Sequence, residues 1–449
     1  MEVFLDLFFN QIFGQPFLLM GIIVFVGYIA MKQSIDKAIS GGLKAAIGIL
    51  IMGMGATVLI TNFNKLLLSM QISTGIQGAG LNTYPTMINA YEKMEVVLGA
   101  GIGTSWGIYT LLGAFIVNLL LVAFRKYTKI RAVYLTGNAM IVQSGITTYI
   151  VWRFLNLDMI GTVFISAIIT ALYWGIMSTL LIKPTSKITN GADFTIAHQQ
   201  MLMDYLAYKI APYLGDEKDD IEKKKMPASL SFLQDSIVTT ALVMFLSVAV
   251  ILLIITPEQL EWLRSSSGLN QPILKNNIIF ILWISFILTA SIVVLLFGVR
   301  MFIGELMISF KGFSDRLLPG AIAGVDCAAI FAFAPKSVVL GLIFGAIGQL
   351  IGLLGLIITN SSIFIVPGFI PLFFDNAAIA IFANKFGGWK AAAIICTING
   401  IIQIWGSMLA VKMMEMTWWQ GSSDYATIWV LIISIFKYLG NWLGIPIAG

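Results

Sequence analysis

Apolar runs long enough to cross a bilayer recur along the whole chain, separated by short polar breaks. A membrane-spanning helix needs about 20 mostly apolar residues. The pattern therefore predicts an all-α, polytopic membrane protein with about eleven transmembrane helices. The predicted spans are Pro16–Met31, Ala45–Ile60, Val96–Phe124, Ala132–Trp152, Met159–Ile182, Thr239–Thr256, Asn277–Phe297, Ser337–Thr359, Ser361–Asn384, Ala391–Val411 and Tyr425 to the last residues.

Two segments, Phe63–Glu95 and Phe310–Lys336, interrupt this pattern, and we expect each to return to the side it left as a re-entrant hairpin. Similar passages precede them, which predicts a single unit, 1–449, built of two repeats of inverted topology. The repeats cover about residues 10–185 and 235–412, and a final helix covers 425–449. Chance similarity between apolar runs is the alternative. A true repeat would place a substrate site at the repeat interface near the middle of the membrane.

Composition strengthens the assignment to the membrane. Hydrophobic residues form 58% of the 449 positions and charged residues 11%, and the mean hydropathy is +0.92. Water-soluble folds do not have this balance. The net charge of +5 arises from short basic clusters beside apolar runs, which orient membrane proteins and do not indicate a nucleic-acid partner. We expect membrane lipid around the helices.

The same basic clusters predict the orientation of the chain in a bacterial plasma membrane. Lys and Arg concentrate in cytoplasmic loops, so the clusters should share that side. They are Lys32–Lys37, Arg125–Arg131, Lys183–Lys225, Arg300–Arg316 and Lys385–Lys390. The amino end, with Glu2 and Asp6, then lies outside and the carboxyl end inside. Trp418 and Trp419 are expected to be anchors at the membrane interface.

Asp326 is the strongest candidate for a functional side chain. It is the only charged residue in the apolar run Leu317–Ala334, which is bounded by Pro319 and Pro335. A carboxylate at membrane depth is costly unless it is paired or lines a polar cavity. Asp326 is therefore expected to bind substrate hydroxyls or to act as a base for one of them; a buried structural hydrogen bond is the alternative.

Other polar groups give weaker signals. His198, Gln199 and Gln200 could bind a sugar or polyol, although a lone histidine is more often a packed residue. Asn82-Thr83-Tyr84-Pro85 follows a glycine-rich break and is either a substrate contact or an ordinary loop. Three amides lie in otherwise apolar helices, where they join helices or face a cavity; they are Asn138, Gln143 and Asn376. The charged stretch Gly215–Lys225 is a solvated loop or a contact for a soluble partner.

The residue inventory predicts neither a metal site nor a cofactor. Cys327 and Cys396 are the only cysteines, both lie in apolar sequence, and no CxxC spacing is present. His198 is the only histidine, which disfavours histidine-based metal binding. No phosphate-cradling P-loop is recognisable, so a bound nucleotide is not expected.

Across nearly its whole length the sequence resembles the IIC component of the ascorbate-type family of the bacterial phosphotransferase system. The passages that carry the resemblance are Leu135-Thr-Gly-Asn138, Tyr173-Trp-Gly-Ile, Lys183-Pro-Thr, Ile196-Ala-His198-Gln199-Gln200, Gly298-Val-Arg-Met-Phe, Arg316-Leu-Leu-Pro-Gly, Asp326-Cys-Ala-Ala-Ile, Val366-Pro-Gly-Phe-Ile-Pro and Phe382-Ala-Asn-Lys-Phe-Gly-Gly-Trp. The resemblance implies a homodimer whose protomer has a substrate-binding core domain and a dimerising scaffold domain, interleaved in sequence.

The resemblance also implies a mechanism and a set of substrate contacts. The core domain moves past the scaffold in the manner of an elevator. A soluble IIB component, which receives its phosphoryl group from IIA, phosphorylates the sugar. This chain carries no phosphoryl group itself. The residues that match the family's substrate site are Thr83, Tyr84, Asn138, Ala139, Val142, Gln143, His198, Gln199 and Asp326.

The chain departs from the family pattern at two of these positions. Family members that handle L-ascorbate carry His where Asn138 stands and Gln where Val142 stands. Since a site that satisfies a ligand's hydroxyls discriminates sharply, L-ascorbate is the first expectation and another acidic or polyol-like sugar the second. An ion-coupled secondary transporter that releases unmodified substrate is the leading alternative function. A membrane enzyme acting on lipid is disfavoured by the few ionisable residues.

Overall fold

The structure is a computed structural model that describes residues 16–75, 77–224, 235–266, 276–368 and 370–448. Glu2 and Asp6, on which the predicted position of the amino end depends, are not among these described residues. Helices dominate the described chain. In order they are α1 (Pro16–Ala30), α2 (Ile35–Thr74), α3 (Thr83–Leu98), α4 (Ile102–Ala123), α5 (Arg125–Thr128), α6 (Gly137–Leu155), α7 (Met159–Ile188), α8 (Met201–Leu214), α9 (Ser236–Ile254), α10 (Pro257–Ser266), α11 (Asn277–Leu317), α12 (Pro335–Ile358), α13 (Asn376–Met414) and α14 (Ile428–Trp442).

The prediction of a polytopic helical membrane protein is confirmed. Within the described residues, six helical stretches are long and apolar enough to cross a membrane, and Thr240–Ile254 and α14 are shorter apolar helices. One of the six, Pro371–Met414, joins a π-helical turn (Pro371–Asp375) to α13, which changes direction at Gly388 with a φ of 73°. The count of eleven crossings stays a prediction.

Helices α2 and α11 are much longer than the spans predicted there, at 40 and 41 residues. Sequence reasoning ended the predicted span within α2 at Ile60 because polar residues follow. In the structure these side chains bond back to carbonyls of their own helix: Thr61 Oγ1 donates to Thr57 and Asn62 Nδ2 to Val58, each at 2.8 Å. Polar groups satisfied in this way do not end a helix.

In the described part of the chain, six short strands connect the helices, and the sequence did not predict them. They are β1 (Gln77–Leu81), β2 (Ala132–Tyr134), β3 (Phe194–Ile196), β4 (Ile322–Val325), β5 (Ile363–Val366) and β6 (Trp418–Trp419). They form two parallel three-stranded sheets, ordered β5-β1-β6 and β2-β4-β3. The central strand of each sheet comes from one half of the chain and its two neighbours from the other half. The sheets therefore bring the two halves of the sequence together.

The interface anchors expected at Trp418 and Trp419 are instead strand residues. Both side chains are buried, and Trp418 packs against Phe63 with ring centroids 5.3 Å apart. Gly80 pairs with Trp418 across the sheet, and a Cβ at Gly80 would lie 2.5 Å from the indole ring. A glycine is needed at this close approach.

The helices pack in two groups. The first group consists of α1, α2, α9, α10 and α11, and its principal contact is between α2 and α11. The backbones of these two helices touch where glycines remove the side chain: a Cβ at Gly298 would lie 2.4 Å from Met52 N, and one at Gly55 would lie 2.5 Å from Leu295 N. Such small-residue contacts let membrane helices approach closely. The second group contains α3, α4, α6, α7, α8, α12, α13 and α14.

Candidate functional site

A cavity of about 360 Å³ lies where α11 of the first helix group faces the second group. This volume is within the range of small-molecule sites. The residues that line it are Thr83, Tyr84, Asn138, Ala139, His198, Gln199, Leu295, Arg300, Gly304, Asp326, Ala328, Ile370, Phe374 and Gln420. The structure thus brings to one place Thr83, Tyr84, Asn138, Ala139, His198, Gln199 and Asp326 from the residues that the sequence proposed.

The strands explain why residues so distant in sequence meet. Each strand is followed, within a few residues, by part of the cavity lining: β1 by Thr83, β2 by Asn138, β3 by His198, β4 by Asp326 and β6 by Gln420. Residues after β5 contribute Ile370 and Phe374. The carboxyl ends of parallel strands are a common position for ligand sites. The first turn of a helix also has backbone N–H groups without partners inside the helix, which can bind a ligand.

Asn82 and Asp326 shape two of these strand ends in the same way. The Asn82 side chain accepts a hydrogen bond from Tyr84 N at 3.3 Å and caps α3. The Asp326 Oδ1 atom accepts one from Ala328 N at 2.9 Å and caps the 3₁₀ turn Cys327–Phe333. Each cap fixes the backbone where the chain leaves the strand and enters the cavity wall. Asp326 is half-buried, so its second oxygen can reach a ligand.

His198 and Asn138 each offer an unused acceptor. His198 Nδ1 bonds to Gln200 Oε1, which favours the tautomer with hydrogen on Nδ1 and leaves Nε2 as an acceptor. Within the described residues, Asn138 Oδ1 is buried and has no hydrogen-bond partner. Buried acceptors are normally satisfied. A ligand that donates hydroxyl protons would satisfy both atoms.

Gln199 is held by the protein itself. It donates from Nε2 to the Ala139 carbonyl oxygen at 3.0 Å, and its Oε1 accepts from Gln420 Nε2. Only one amide hydrogen of Gln199 is left for a ligand. Gln199 therefore lines the cavity and also links, by hydrogen bonds, its own segment with those of Ala139 and Gln420.

The structure does not bring Val142 and Gln143 to the cavity. Val142 is fully buried among apolar side chains on α6. Gln143 Oε1 accepts a hydrogen bond from Trp174 Nε1 at 2.8 Å, which uses the amide for packing between α6 and α7. The third amide, Asn376, joins helix segments: Asn399 Nδ2 donates to its Oδ1 at 3.0 Å, and its own Nδ2 donates to Gln403 Oε1 at 3.1 Å.

Sequence reasoning missed several cavity residues. Arg300 was interpreted as part of a loop cluster that orients the chain, but it lies within α11 and lines the cavity with Leu295 and Gly304. Gln420 follows a strand that the sequence did not reveal. Two signals were available for Arg300: it directly follows an apolar run, a pattern shared with ordinary helix ends, and it lies in the passage Gly298-Val-Arg-Met-Phe that resembles the family, which gave it no role in the site.

Three fully buried carboxylates lie behind the cavity on the segments that carry its residues: Asp204, Asp375 and Asp424. Asp424 accepts from Tyr173 Oη at 2.5 Å and from Leu202 N, and Asp375 Oδ2 accepts from Ser423 N at 2.6 Å. Neither oxygen of Asp204 has a hydrogen-bond partner within the described chain. No ion pair of the described residues includes any of the three.

One group of possible metal ligands coincides with the cavity. One atom each of His198, Asp326 and Cys327 lies within 4.8 Å of the other two, although the residue inventory predicted no metal site. Cys327 Sγ already contacts the carbonyl oxygen of Phe374 at 3.9 Å. The same closeness of polar atoms suits a small hydroxylated ligand.

The charged stretch, predicted to be a solvated loop or a contact for a soluble partner, packs against the start of α12. Its described part, Gly215–Lys224, contains two 3₁₀ turns. Glu222 Oε1 accepts from Ser337 N and Oγ at the start of α12, at 2.7 and 2.9 Å. Lys224 pairs with exposed Asp219 at 2.9 Å, and the hydrogen bond and charge of this lysine lower the pKa of Asp219. Lys225 lies outside the described residues.

The fold is that of a multi-pass membrane protein with a cavity of small-molecule size between two helix groups. Residues 11–429 match the family model EIIC-GAT, the PTS system sugar-specific permease component, and the chain belongs to this family. The resemblance inferred from motifs is confirmed at this level. The chain is also similar to the ascorbate-specific PTS system EIIC component of Mycoplasma pneumoniae, with 32% identity over 439 residues. That match covers 90% of this chain but only 65% of the relative, so the chain spans less than two thirds of the relative's length.

Proposed function

We propose that this permease component binds L-ascorbate, or a closely related sugar acid, in the cavity between the two helix groups and presents it for phosphorylation. The main support is the pair of unused acceptors, Asn138 Oδ1 and His198 Nε2, on residues that line the same cavity as Asp326. Several acceptors in the lining of one cavity suit a ligand with several hydroxyl donors. The ascorbate-specific relative supports the choice of sugar.

The phosphoryl group comes from a soluble IIB component, which receives it from IIA. This chain positions the acceptor hydroxyl, and Asp326 or His198 takes its proton. The charged segment Gly215–Lys224, which packs on the start of α12, offers a soluble partner an exposed surface near the Asp326 turn.

Transport follows from movement of the second helix group, the core domain, past the first group, the scaffold domain. The cavity is suited to this because nearly all of its lining belongs to the core and only Leu295, Arg300 and Gly304 belong to the scaffold. A core that moves would carry the ligand with it. The scaffold also forms the homodimer contact.

The two halves of the chain are proposed to be inverted repeats. The long helices α2 and α11 correspond, each followed by the central strand of a sheet. If β1, β2 and β3 are matched with β4, β5 and β6, the order β5-β1-β6 becomes β2-β4-β3, the order of the other sheet. A repeat explains this exchange of strands between halves.

An ion-coupled transporter is the second candidate because three buried carboxylates lie behind the cavity without a described ion pair. Uptake by vesicles containing the protein separates the two functions. Under the phosphotransferase proposal, accumulation requires phosphoenolpyruvate and the soluble components, and the product is phosphorylated. Accumulation of free substrate on an ion gradient alone would establish the alternative.

A further inference from the structure

Arg300 is the only cationic side chain among the described residues that line the cavity. Its side chain is exposed there, and within the described chain it has neither an ion pair nor a side-chain hydrogen bond. A charged group inside a membrane protein is costly unless it is paired or faces water and ligand. The described residues thus give Arg300 no partner for its charge, and a ligand in the cavity could provide one.

Glu305, the neighbouring charged residue on α11, differs from Arg300 in that it has partners within the helix group. Glu305 pairs with Lys44 at 3.2 Å and accepts a hydrogen bond from Tyr28 Oη at 2.7 Å, so helix packing satisfies it fully. Arg300, little more than one turn earlier, has no such arrangement. Packing within the scaffold thus explains Glu305 but does not explain Arg300.

Arg300 and Asp326 line the same cavity without pairing. Within the described residues, no nitrogen of Arg300 lies within salt-bridge distance of the Asp326 carboxylate. Opposite charges that share a cavity and remain apart leave room for a ligand between them. Arg300 belongs to the scaffold and Asp326 to the core, so such a ligand would bridge the two groups.

We propose that Arg300 binds an anionic oxygen of the ligand, opposite the hydroxyl-binding end formed by Asn138, His198 and Asp326. This inference rests on the proposed function and specifies the ligand as an anion. The planar guanidinium can donate two parallel hydrogen bonds to an oxyanion. The oxyanion is either the ionised oxygen of the sugar acid or an oxygen of the phosphoryl group added to it.

The position of Arg300 gives this contact a second role. Because it approaches from the scaffold, the anion is held from both sides only while the core stands next to this part of α11. Movement of the core would separate the ligand from Arg300 while the core contacts persist. Arg300 would then set both the preference for anions and the affinity in one position of the core.

Calorimetric titration of the full-length protein in lipid nanodiscs tests the proposal with three probes: L-ascorbate, which is a monoanion near neutral pH; L-gulono-1,4-lactone, a neutral lactone of similar size; and a phosphate ester of L-ascorbate. We compare wild type, Arg300→Gln and Arg300→Lys. Arg131→Gln is the matched control, because Arg131 is an exposed arginine outside the cavity.

For Arg300→Gln we expect roughly ten- to hundredfold weaker binding of an anionic probe, the effect of losing a charge-assisted hydrogen bond. The neutral lactone should be unaffected, and Arg300→Lys should recover part of the loss. A loss for both anions assigns the contact to the sugar acid's oxygen, and a loss for the ester alone assigns it to the phosphoryl group. Unchanged affinities, or an equal loss for the neutral lactone, overturn the proposal. A wild-type protein that binds none of the probes overturns the proposed function, and this inference with it.

Discussion

The side-chain amide of Gln420 donates a hydrogen bond to the amide oxygen of Gln199, and both residues are buried. Gln199 follows β3 in the first half of the chain and Gln420 follows β6 in the second half. Gln199 in turn donates to the Ala139 carbonyl oxygen at the start of α6. This pair of glutamines therefore fixes three segments of the cavity wall relative to one another.

Replacing Gln420 with leucine should weaken both the fold and ligand binding. The change keeps a similar size but removes the donor, so Gln199 Oε1 becomes a buried acceptor without a partner. Such a group costs about 1–3 kcal/mol. We expect a lower thermal unfolding midpoint and weaker L-ascorbate binding. Gln33→Leu is the control, because Gln33 is exposed between α1 and α2; an equal effect of both changes would contradict the assigned role.

Many residues of the candidate site could be predicted because they are polar or charged in a sequence that is otherwise apolar. A carboxylate in apolar sequence at Asp326 and a lone His198 after a polar break both stand out against a membrane pattern. For Thr83, Tyr84 and Asn138 the sequence alone left a structural role open, and the resemblance then favoured a substrate contact. These residues could be recognised singly, without knowledge of how the chain brings them together.

The strands could not be predicted, and without them the arrangement of segments around the candidate site could not be inferred. Segments such as Ala132–Tyr134 and Trp418–Trp419 are too short and too apolar to show the alternation of a half-buried strand. Their partners are also far away in sequence, as in the pairing of Ala132 with Ile322. Without the strands, nothing in the sequence indicated that Gln420 lies near Gln199. The position of Arg300 after an apolar run did not distinguish it from a charged residue at the end of a helix.

The predicted orientation can be tested with single cysteines at Lys218 and Glu258. Both side chains are exposed, Lys218 in the charged segment and Glu258 at the start of α10. The basic clusters place the first on the cytoplasmic side and the second outside. Impermeant maleimide should therefore label only the cysteine at position 258 in intact cells and both after lysis. The native cysteines, Cys327 and Cys396, are buried and give the background. Labelling of both positions in intact cells would show that the predicted topology is wrong.

Gly304 should accept a side chain without loss of the fold but with loss of binding. It lines the cavity, and a Cβ there would meet no atom within 4 Å. Leucine also favours the helix over glycine by about 1 kcal/mol. Gly304→Leu should therefore fill part of the cavity and abolish L-ascorbate binding while the protein remains monodisperse.

Two other glycines provide the comparison for Gly304. Gly53 on α2 has equally open space around its Cβ position but does not line the cavity, so Gly53→Leu should bind normally. Gly298 touches the backbone of α2, so Gly298→Leu should reduce the yield of folded protein. Normal binding by Gly304→Leu would show that the ligand does not occupy this cavity.

Asp326→Asn should weaken binding far more than it weakens the fold. Asparagine keeps an oxygen that can accept from Ala328 N and cap the turn, but it loses the charge and the second carboxylate oxygen. Hydrogen bonds to ionised groups contribute about 1.5–3 kcal/mol, which corresponds to roughly ten- to hundredfold weaker binding. Asp158→Asn is the matched control, because Asp158 caps α7 in the same manner on an exposed surface. Affinity for L-ascorbate and the unfolding midpoint are measured on purified, monodisperse protein. If the Asp326 variant binds as wild type does while its unfolding midpoint falls, the carboxylate is a structural cap and not a ligand to the substrate.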